Sequence, residues 1–305
     1  FAVKQFSFIS RNVCCSDFSS VNEDIESHPN ARLLPKNCGA INGNRIIGGS
    51  VASLYEFPWM ALISYRIGIL FYYCAGSIIN TRYILTAAHC IVGREIIGVR
   101  IGEFDIRYDW DCQKSPTGGP ICESHYQDIR VEKATPHQKY DGHPKYTFDI
   151  GLIRLQLPIS FEYRNAGPIC LPMTKELRTA SLGNKIATIA GWGLTENQRG
   201  SSVLLKVEIP IHPDETCVEF FSRCVSLNLI FKTSLIQFCA GSPNKNSCNG
   251  DSGGPLIIEE KYKQVSRFIQ YGIVSQGVQA CGSHIPAVYT AVSKHLKWIL
   301  DTIKP

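Results

Sequence analysis

The sequence predicts an all-β fold of barrels or sandwiches, preceded by a polar arm and closed by a C-terminal helix. Three observations carry that expectation. Short apolar runs recur between Pro58 and Ser275, separated by turns rich in Gly and Pro. Residues 1–45 are polar, rich in Ser and Asn, and read as an extended arm with little core of its own. Helical spacing of apolar residues appears in the final stretch. The 305 residues suit about two domains, and 44% hydrophobic residues can fill their cores.

The arm runs to Arg45, where the character of the chain changes. Arg45-Ile46-Ile47-Gly48-Gly49 leads into apolar runs. Pro58-Trp59-Met60-Ala61-Leu62-Ile63-Ser64 reads as a buried strand, because it is almost wholly apolar and too short for a helix. Tyr83–Thr86 and Gly151–Leu155 read the same way. Lys185–Gly193 and Gln270–Ser275 extend the pattern into the second half. Val292, Leu296, Ile299 and Ile303 then recur at helical spacing, which predicts a helix over Ala291–Ile303 packed on the body. There is no internal repeat.

Composition bounds the function. Net charge is +5 with no Lys/Arg run, which argues against a nucleic-acid partner. No apolar run approaches the roughly 18 residues of a membrane helix. The chain starts at Phe1 without a signal-peptide pattern, as expected of a mature or trimmed form. Thirteen cysteines, none in Cys-x-x-Cys pairs, point to disulfides rather than zinc, and so to secretion. No Asn-x-Ser/Thr sequon is present.

One stretch carries chemistry. Asn246–Pro255 reads NSCNGDSGGP and holds Ser252 among glycines. Such a backbone folds tightly around a small nucleophile while its amides remain able to bind an oxyanion. Thr86-Ala87-Ala88-His89-Cys90 supplies a histidine, and Asp149-Ile150-Gly151-Leu152 supplies an acid. The chain order His, Asp, Ser is one in which the hydrolytic triad recurs. Taken singly, His89 would suit a core histidine and Asp149 a turn acid; together they point to acyl transfer.

From Ile46 to the C-terminus the sequence resembles the chymotrypsin-like (trypsin-fold) serine proteases, through IIGG, TAAHC, DIGLIRL, AGWG, GDSGGP and VYTAV. The resemblance implies two perpendicular six-stranded β-barrels with the active site in the cleft between them. Ser252 would attack the scissile carbonyl, His89 would act as general base and then acid, and Asp149 would orient His89. The N–H groups of Gly250 and Ser252 would form the oxyanion hole, at about 3–4 kcal/mol per donor. Ser275 matches a serine beside the triad acid. Cleavage at Arg45-Ile46 would free an Ile46 ammonium to pair with Asp251, locking the oxyanion loop. An intact triad disfavours the alternative, a non-catalytic homologue that acts as a binding cofactor.

The family pattern also implies disulfides Cys74–Cys90, Cys217–Cys239, Cys248–Cys281, Cys112–Cys122 and Cys38–Cys170, the last tethering the arm. Cys14, Cys15 and Cys224 are left over, and Cys224 could replace Cys217. Adjacent Cys14-Cys15 and the Cys112–Cys122 insertion resemble the clip-domain proteases of arthropods. On that basis residues 1–45 are the tail of a clip domain plus a linker, and residues 46–305 the protease domain.

Glu103, Asp105, Asp109 and Asp111 crowd a loop where relatives bind calcium; Glu103 and Asp111 side chains, with carbonyls of Asp105 and Tyr108, suit that hard cation. The pocket for the residue before the scissile bond departs from the trypsin pattern. Asn246 stands six residues before Ser252, where an Asp is usual, while Ser275, Gly277 and Ala287 complete the pocket. A neutral amide offers a guanidinium no charge pairing, so an altered preference is expected. The resemblance implies a secreted, extracellular (haemolymph-like) zymogen in a proteolytic cascade of innate immunity, Toll or melanisation. Its partners would be an upstream trypsin-like activator, a downstream zymogen or cytokine precursor, and serpins.

Overall fold

Strands account for most of the regular secondary structure among the described residues, as the turn-punctuated pattern predicts. The computed structural model describes residues 25–41, 50–67, 69–114, 118–143, 145–193, 200–222, 236–242, 250–262, 264–276 and 286–305. In chain order the strands are β1 (Ser50–Val51), β2 (Met60–Ile67), β3 (Ile69–Asn80), β4 (Tyr83–Thr86), β5 (Ile96–Ile101), β6 (Asp111–Lys114), β7 (Pro120–Glu123), β8 (Gln127–Pro136) and β9 (Gly151–Leu155). The second half adds β10 (Ile186–Gly191), β11 (Leu205–Pro210), β12 (Gln237–Ala240), β13 (Pro255–Tyr262), β14 (Val265–Gln276) and β15 (Ala287–Ala291). Three helices, α1 (Lys175–Thr179), α2 (Asp214–Ser222) and α3 (Leu296–Thr302), complete the described elements.

The first half closes a six-stranded barrel in the order β2-β3-β4-β9-β8-β5. Its interior is filled by buried residues such as Leu62, Ile78, Leu85, Val99 and Leu152. The second half forms a sheet in the order β11-β10-β13-β14-β15-β12, to which β1 adds an edge. A bridge between Ile211 and Ala240 brings its two ends together. His212 N–H to Cys239 O at 3.0 Å and Gly241 N–H to Pro210 O at 3.0 Å complete the closure. The second barrel therefore also has six strands, around a core that includes Ile189, Ile209, Leu256, Tyr271 and Tyr289.

Two elements depart from the sequence expectation. Ala291 ends β15 rather than opening a helix, and a 3-10 turn over Val292–Lys294 precedes α3. Even so, Val292, Leu296, Ile299 and Ile303 are all buried, so the apolar stripe does pack on the body. The arm is not simply extended. Within its described part, Ile25–Ser27 and Pro29–Leu33 coil into 3-10 turns. Pro29 presets φ at the first position, and His28 accepts from Asn30 N–H. Asn30 Nδ2 then donates to Leu300 O at 2.9 Å and Ile303 O at 3.1 Å, satisfying carbonyls at the end of α3. His28 Nε2 lies 3.0 Å from Asp301.

Disulfides join Cys38 to Cys170, Cys74 to Cys90, Cys112 to Cys122 and Cys217 to Cys239. Four expected pairs are thus present, with Cys217 rather than Cys224 on Cys239. The fifth, Cys248–Cys281, lies outside the described residues, as do Cys14, Cys15 and Cys224.

Candidate active site

His89 sits on the 3-10 turn Ala88–Cys90 directly after β4, fixed from behind by the Cys74–Cys90 bridge. Asp149 precedes β9, which pairs with β4. This pairing explains how residues 60 positions apart come together. Asp149 is fully buried. Its Oδ1 accepts the His89 backbone N–H at 2.9 Å, and Oδ2 meets His89 Nδ1 at 2.7 Å. Ser275 Oγ donates to Oδ2 at 2.6 Å, so the Ser275 hydroxyl is turned onto the acid. Thr290 Oγ1 holds the Asp149 carbonyl at 2.9 Å. Three donors on one buried carboxylate fix its two oxygens in distinct roles.

The neck before Asp149 is bent. Tyr146 (φ 48°) and Phe148 (φ 55°) both occupy the left-handed region, at a cost of order 1 kcal/mol each. Tertiary bonds hold it. Asp141 accepts Thr147 N–H at 2.8 Å and Thr147 Oγ1 at 2.7 Å, and Gln237 Nε2 donates to Tyr146 O at 2.9 Å. The Tyr146 ring stands edge-on to His89, centroids 6.0 Å apart. Sequence reasoning missed Thr290, Asp141 and Gln237. Thr290 lies inside the quoted VYTAV motif, but nothing local marks the other two.

Ser252 is half-buried at the head of the turn before β13. Ala75 N–H donates to Ser252 O at 2.8 Å, Gly253 N–H to Val274 O at 2.9 Å, and Gly254 N–H to Asp251 O at 2.8 Å. The turn needs φ of 102° at Gly250, a value L side chains rarely adopt. Among the described residues neither the Gly250 nor the Ser252 N–H is engaged by another backbone group. No hydrogen bond joins Ser252 Oγ to His89 in this structure. Such bonds are often long without substrate and tighten on binding. Asp251 Oδ1 accepts Gly193 N–H at 2.9 Å.

The other expected site residues divide. Ala287 opens β15, buried opposite Ala240. Asn246, Gly277, Arg45 and Ile46 lie outside the described residues. Cys74, His89 and Cys90 cluster closely, but the two sulfurs are bonded to each other and offer no thiolate to a metal.

The acidic loop is locked onto the second barrel. Leu204 N–H and Trp192 Nε1 both donate to Phe104 O. Asp111 accepts the N–H groups of Phe104 and Asp105 at 3.1 and 2.9 Å. Glu103 is buried beside it and bonds Arg100 Nη1 at 3.2 Å. Burial, then the neighbouring Asp111 charge, pushes the Glu103 carboxyl above its usual range; burial does the same to Asp111. Asp105 instead gives its carboxylate to Arg107, which lowers its pKa, and keeps only a carbonyl for other use. Asp109 is exposed, 3.4 Å from Tyr126 Oη.

Behind Asp149, His137 stacks on Phe148 at 4.9 Å, and His295 stands edge-on to His137 at 5.8 Å. Burial is the main cause that lowers both histidines to about 4. Among the described residues His295 Nε2 has no partner, while Nδ1 meets Ala291 O at 2.8 Å. The folded state therefore favours neutral rings. That stability is present above pH 6.5 and is lost as pH falls from 6.5 towards 4. We expect the melting temperature to drop between pH 7 and pH 4.5, and His295→Phe to flatten that dependence. An unchanged slope in the variant would remove His295 as its source.

Comparison with known proteins places this geometry. A family model described as Trypsin matches residues 46–299. Melanization protease 1 of Drosophila melanogaster is 34% identical over 330 residues, covering 99% of this chain and 80% of the relative. Phenoloxidase-activating enzyme 1 of Spodoptera litura is 38% identical over 318 residues, covering 95% and 80%. A crystal structure of the drosophila Grass clip serine protease of the Toll pathway matches with a TM-score of 0.74 at 34% identity, covering 87% of this chain and 74% of that one.

Proposed function

Because the chain belongs to the trypsin family, among the clip-domain serine proteases of arthropods, and is a serine endopeptidase, we propose that His89, Asp149 and Ser252 are its catalytic triad. The observation that carries this is the buried Asp149 carboxylate, gripping both the backbone and the ring N–H of His89. That grip leaves Nε2 as the ring's acceptor, which would take the Ser252 proton and return it to the leaving amine. Gly250 and Ser252 N–H groups supply the oxyanion hole. Ser275 is a positioning residue for Asp149.

In this reading the chain is a zymogen cut at Arg45-Ile46 by a trypsin-like activator. The new Ile46 ammonium would meet the Asp251 carboxylate. The enzyme is secreted, acts in an extracellular immune cascade on a downstream zymogen or a cytokine precursor, and is stopped by serpins. The relatives named for melanisation, phenoloxidase activation and the Toll pathway support the cascade role. Residues 1–45 are the tail of a clip domain plus linker. Asn246 sets a neutral pocket for the residue before the scissile bond.

The test is hydrolysis of a peptide library, randomised before the scissile bond, by the chain cleaved at Arg45. Turnover that disappears in Ser252→Ala is expected. No turnover with a free Ile46 terminus would overturn the catalytic reading in favour of a binding cofactor.

We also propose a calcium ion at Glu103 and Asp111, two buried carboxyls of which the Asp111 charge raises the Glu103 pKa, with the Asp105 and Tyr108 carbonyls as the further donors it would draw on. Bound calcium would neutralise the pair and brace the loop against Trp192. Millimolar calcium is expected to raise the melting temperature of the native chain, and Glu103→Gln to abolish the rise. Equal melting with calcium and with chelator would exclude the site.

A further inference from the structure

Three rings meet directly behind Asp149. His137 stacks on Phe148 with centroids 4.9 Å apart and planes 13° from parallel, and His295 stands edge-on to both at 5.8 Å. Both histidines are buried, and neither has a part in the triad. The bonds from Asp141 and Gln237 end on Thr147 and Tyr146. Phe148, the residue next to the acid, meets the body through its ring. It needs that hold, because its φ of 55° is a conformation that a β-carbon disfavours.

His137 is placed to supply it. It follows β8 directly, and its N–H donates to Ile150 O at 2.9 Å, which continues the β8–β9 pairing past Pro136 and Gly151. Its ring thus grips the residue before Asp149 while its backbone grips the residue after. Lys139 N–H donates to His137 Nδ1 at 3.1 Å, which puts the proton of the neutral ring on Nε2. The Trp298 ring packs 5.0 Å away, and its Nε1 donates to Gln138 at 3.0 Å, so α3 backs the stack. A neutral ring is needed here. The titratable groups facing His137 are His295, beside α3, and Lys139, whose Nζ lies 5.7 Å from the Phe148 ring; both disfavour a proton on it.

We propose that His137 is a positioning residue for the triad acid: with Phe148 and His295 it forms a clasp on both chain neighbours of Asp149, and so sets where the carboxylate meets His89. This rests on the catalytic reading above. The two oxygens of Asp149 lie 2.9 and 2.7 Å from the backbone and ring nitrogens of His89. A small shift of the chain at Asp149 therefore weakens both bonds together, and hydrogen bonds of this length lose strength steeply with misalignment. Errors of that size in catalytic geometry are costly in rate even when binding is intact.

The experiment is a double-mutant cycle of His137→Ala and Phe148→Gly in the chain cleaved at Arg45, with rates divided by the active sites found by titration, so that unfolded molecules do not count. Glycine accepts the left-handed backbone without strain, so the second variant removes the ring alone. Each single variant is expected to lose about tenfold in kcat with KM little changed, and the double variant to lose no more than either. His137→Phe keeps the stacked ring and should retain most of the native kcat. His137→Asn keeps an acceptor for Lys139 N–H without the ring and should not. Losses that multiply in the double variant, or rescue by Asn rather than Phe, would overturn the clasp. A second readout needs no turnover. The proton resonance of His89 Nδ1–H, far downfield when shared with Asp149, is expected to move upfield or broaden in His137→Ala and to stay in place in His137→Phe. An unchanged resonance in His137→Ala would overturn the clasp. If the native chain hydrolyses nothing, the catalytic reading fails while this resonance still decides whether His137 places Asp149.

Discussion

Asp149→Asn is expected to lower kcat about ten-thousand-fold with little change in KM. The reason lies in the three donors that converge on one carboxylate. The His89 backbone N–H points at Oδ1, while His89 Nδ1 and Ser275 Oγ point at Oδ2. An asparagine offers one oxygen and one NH2 group. If its oxygen takes the Oδ2 position, its NH2 faces the His89 amide, donor against donor. If its NH2 takes that position, His89 Nδ1 must become an acceptor and the ring proton moves to Nε2. A ring protonated at Nε2 cannot accept the Ser252 proton. The first arrangement sets two donors against each other, so the second is favoured, and it removes the base while the backbone, held by Thr290 through the Asp149 carbonyl, stays in place. Steady-state kinetics on the best library peptide, with the melting temperature as a control for folding, would check this. A kcat within tenfold of native would remove Asp149 from the triad.

The triad motifs and the strands that carry them were legible because their signals are local. Tyr83–Thr86 and Gly151–Leu155 were read with the bounds that the structure gives to β4 and β9. Each is a short run with an apolar core, broken only by Arg154 in the second, and the two pair with each other, so local pattern and tertiary contact agree. Asp111–Lys114 and Pro120–Glu123 were not read as strands. Their side chains are mostly exposed and polar, and only the expected bridge between Cys112 and Cys122 hinted at a hairpin. The left-handed Tyr146 and Phe148 were illegible for a different reason. Neither is a residue that favours positive φ, and the bonds to Asp141 and Gln237 that impose it come from elsewhere in the fold. The arm's 3-10 turns likewise depend on α3, the far end of the chain, and a polar composition cannot announce a partner so distant.

The glycines of Ala190-Gly191-Trp192-Gly193 were recognised as a motif, but only the structure shows what they accommodate. A Cβ on Gly193 would lie 2.5 Å from both Cγ and Oδ2 of Asp251 and 2.6 Å from Oδ1. Gly191, the last residue of β10, faces the same carboxylate. Real Cβ contacts do not come that close, so Gly193→Ala must expel the Asp251 side chain from its seat. That also breaks the 2.9 Å bond from Gly193 N–H to Oδ1. Asp251 stands between Gly250 and Ser252, so its displacement turns the two N–H groups proposed as the oxyanion hole. The expected result is a fall in kcat of about 10²–10³, the effect of one lost oxyanion donor. Overpacking should cost a further 1–3 kcal/mol of stability, roughly. Gly167→Ala is the matched control, since its Cβ would meet only Pro58 at 3.7–3.8 Å, an ordinary contact. Kinetics after cleavage at Arg45 separate the outcomes. A Gly193→Ala enzyme with native kcat would show that the oxyanion loop does not depend on where Asp251 sits. A loss confined to kcat, absent from Gly167→Ala, would tie the catalytic amides to that one carboxylate.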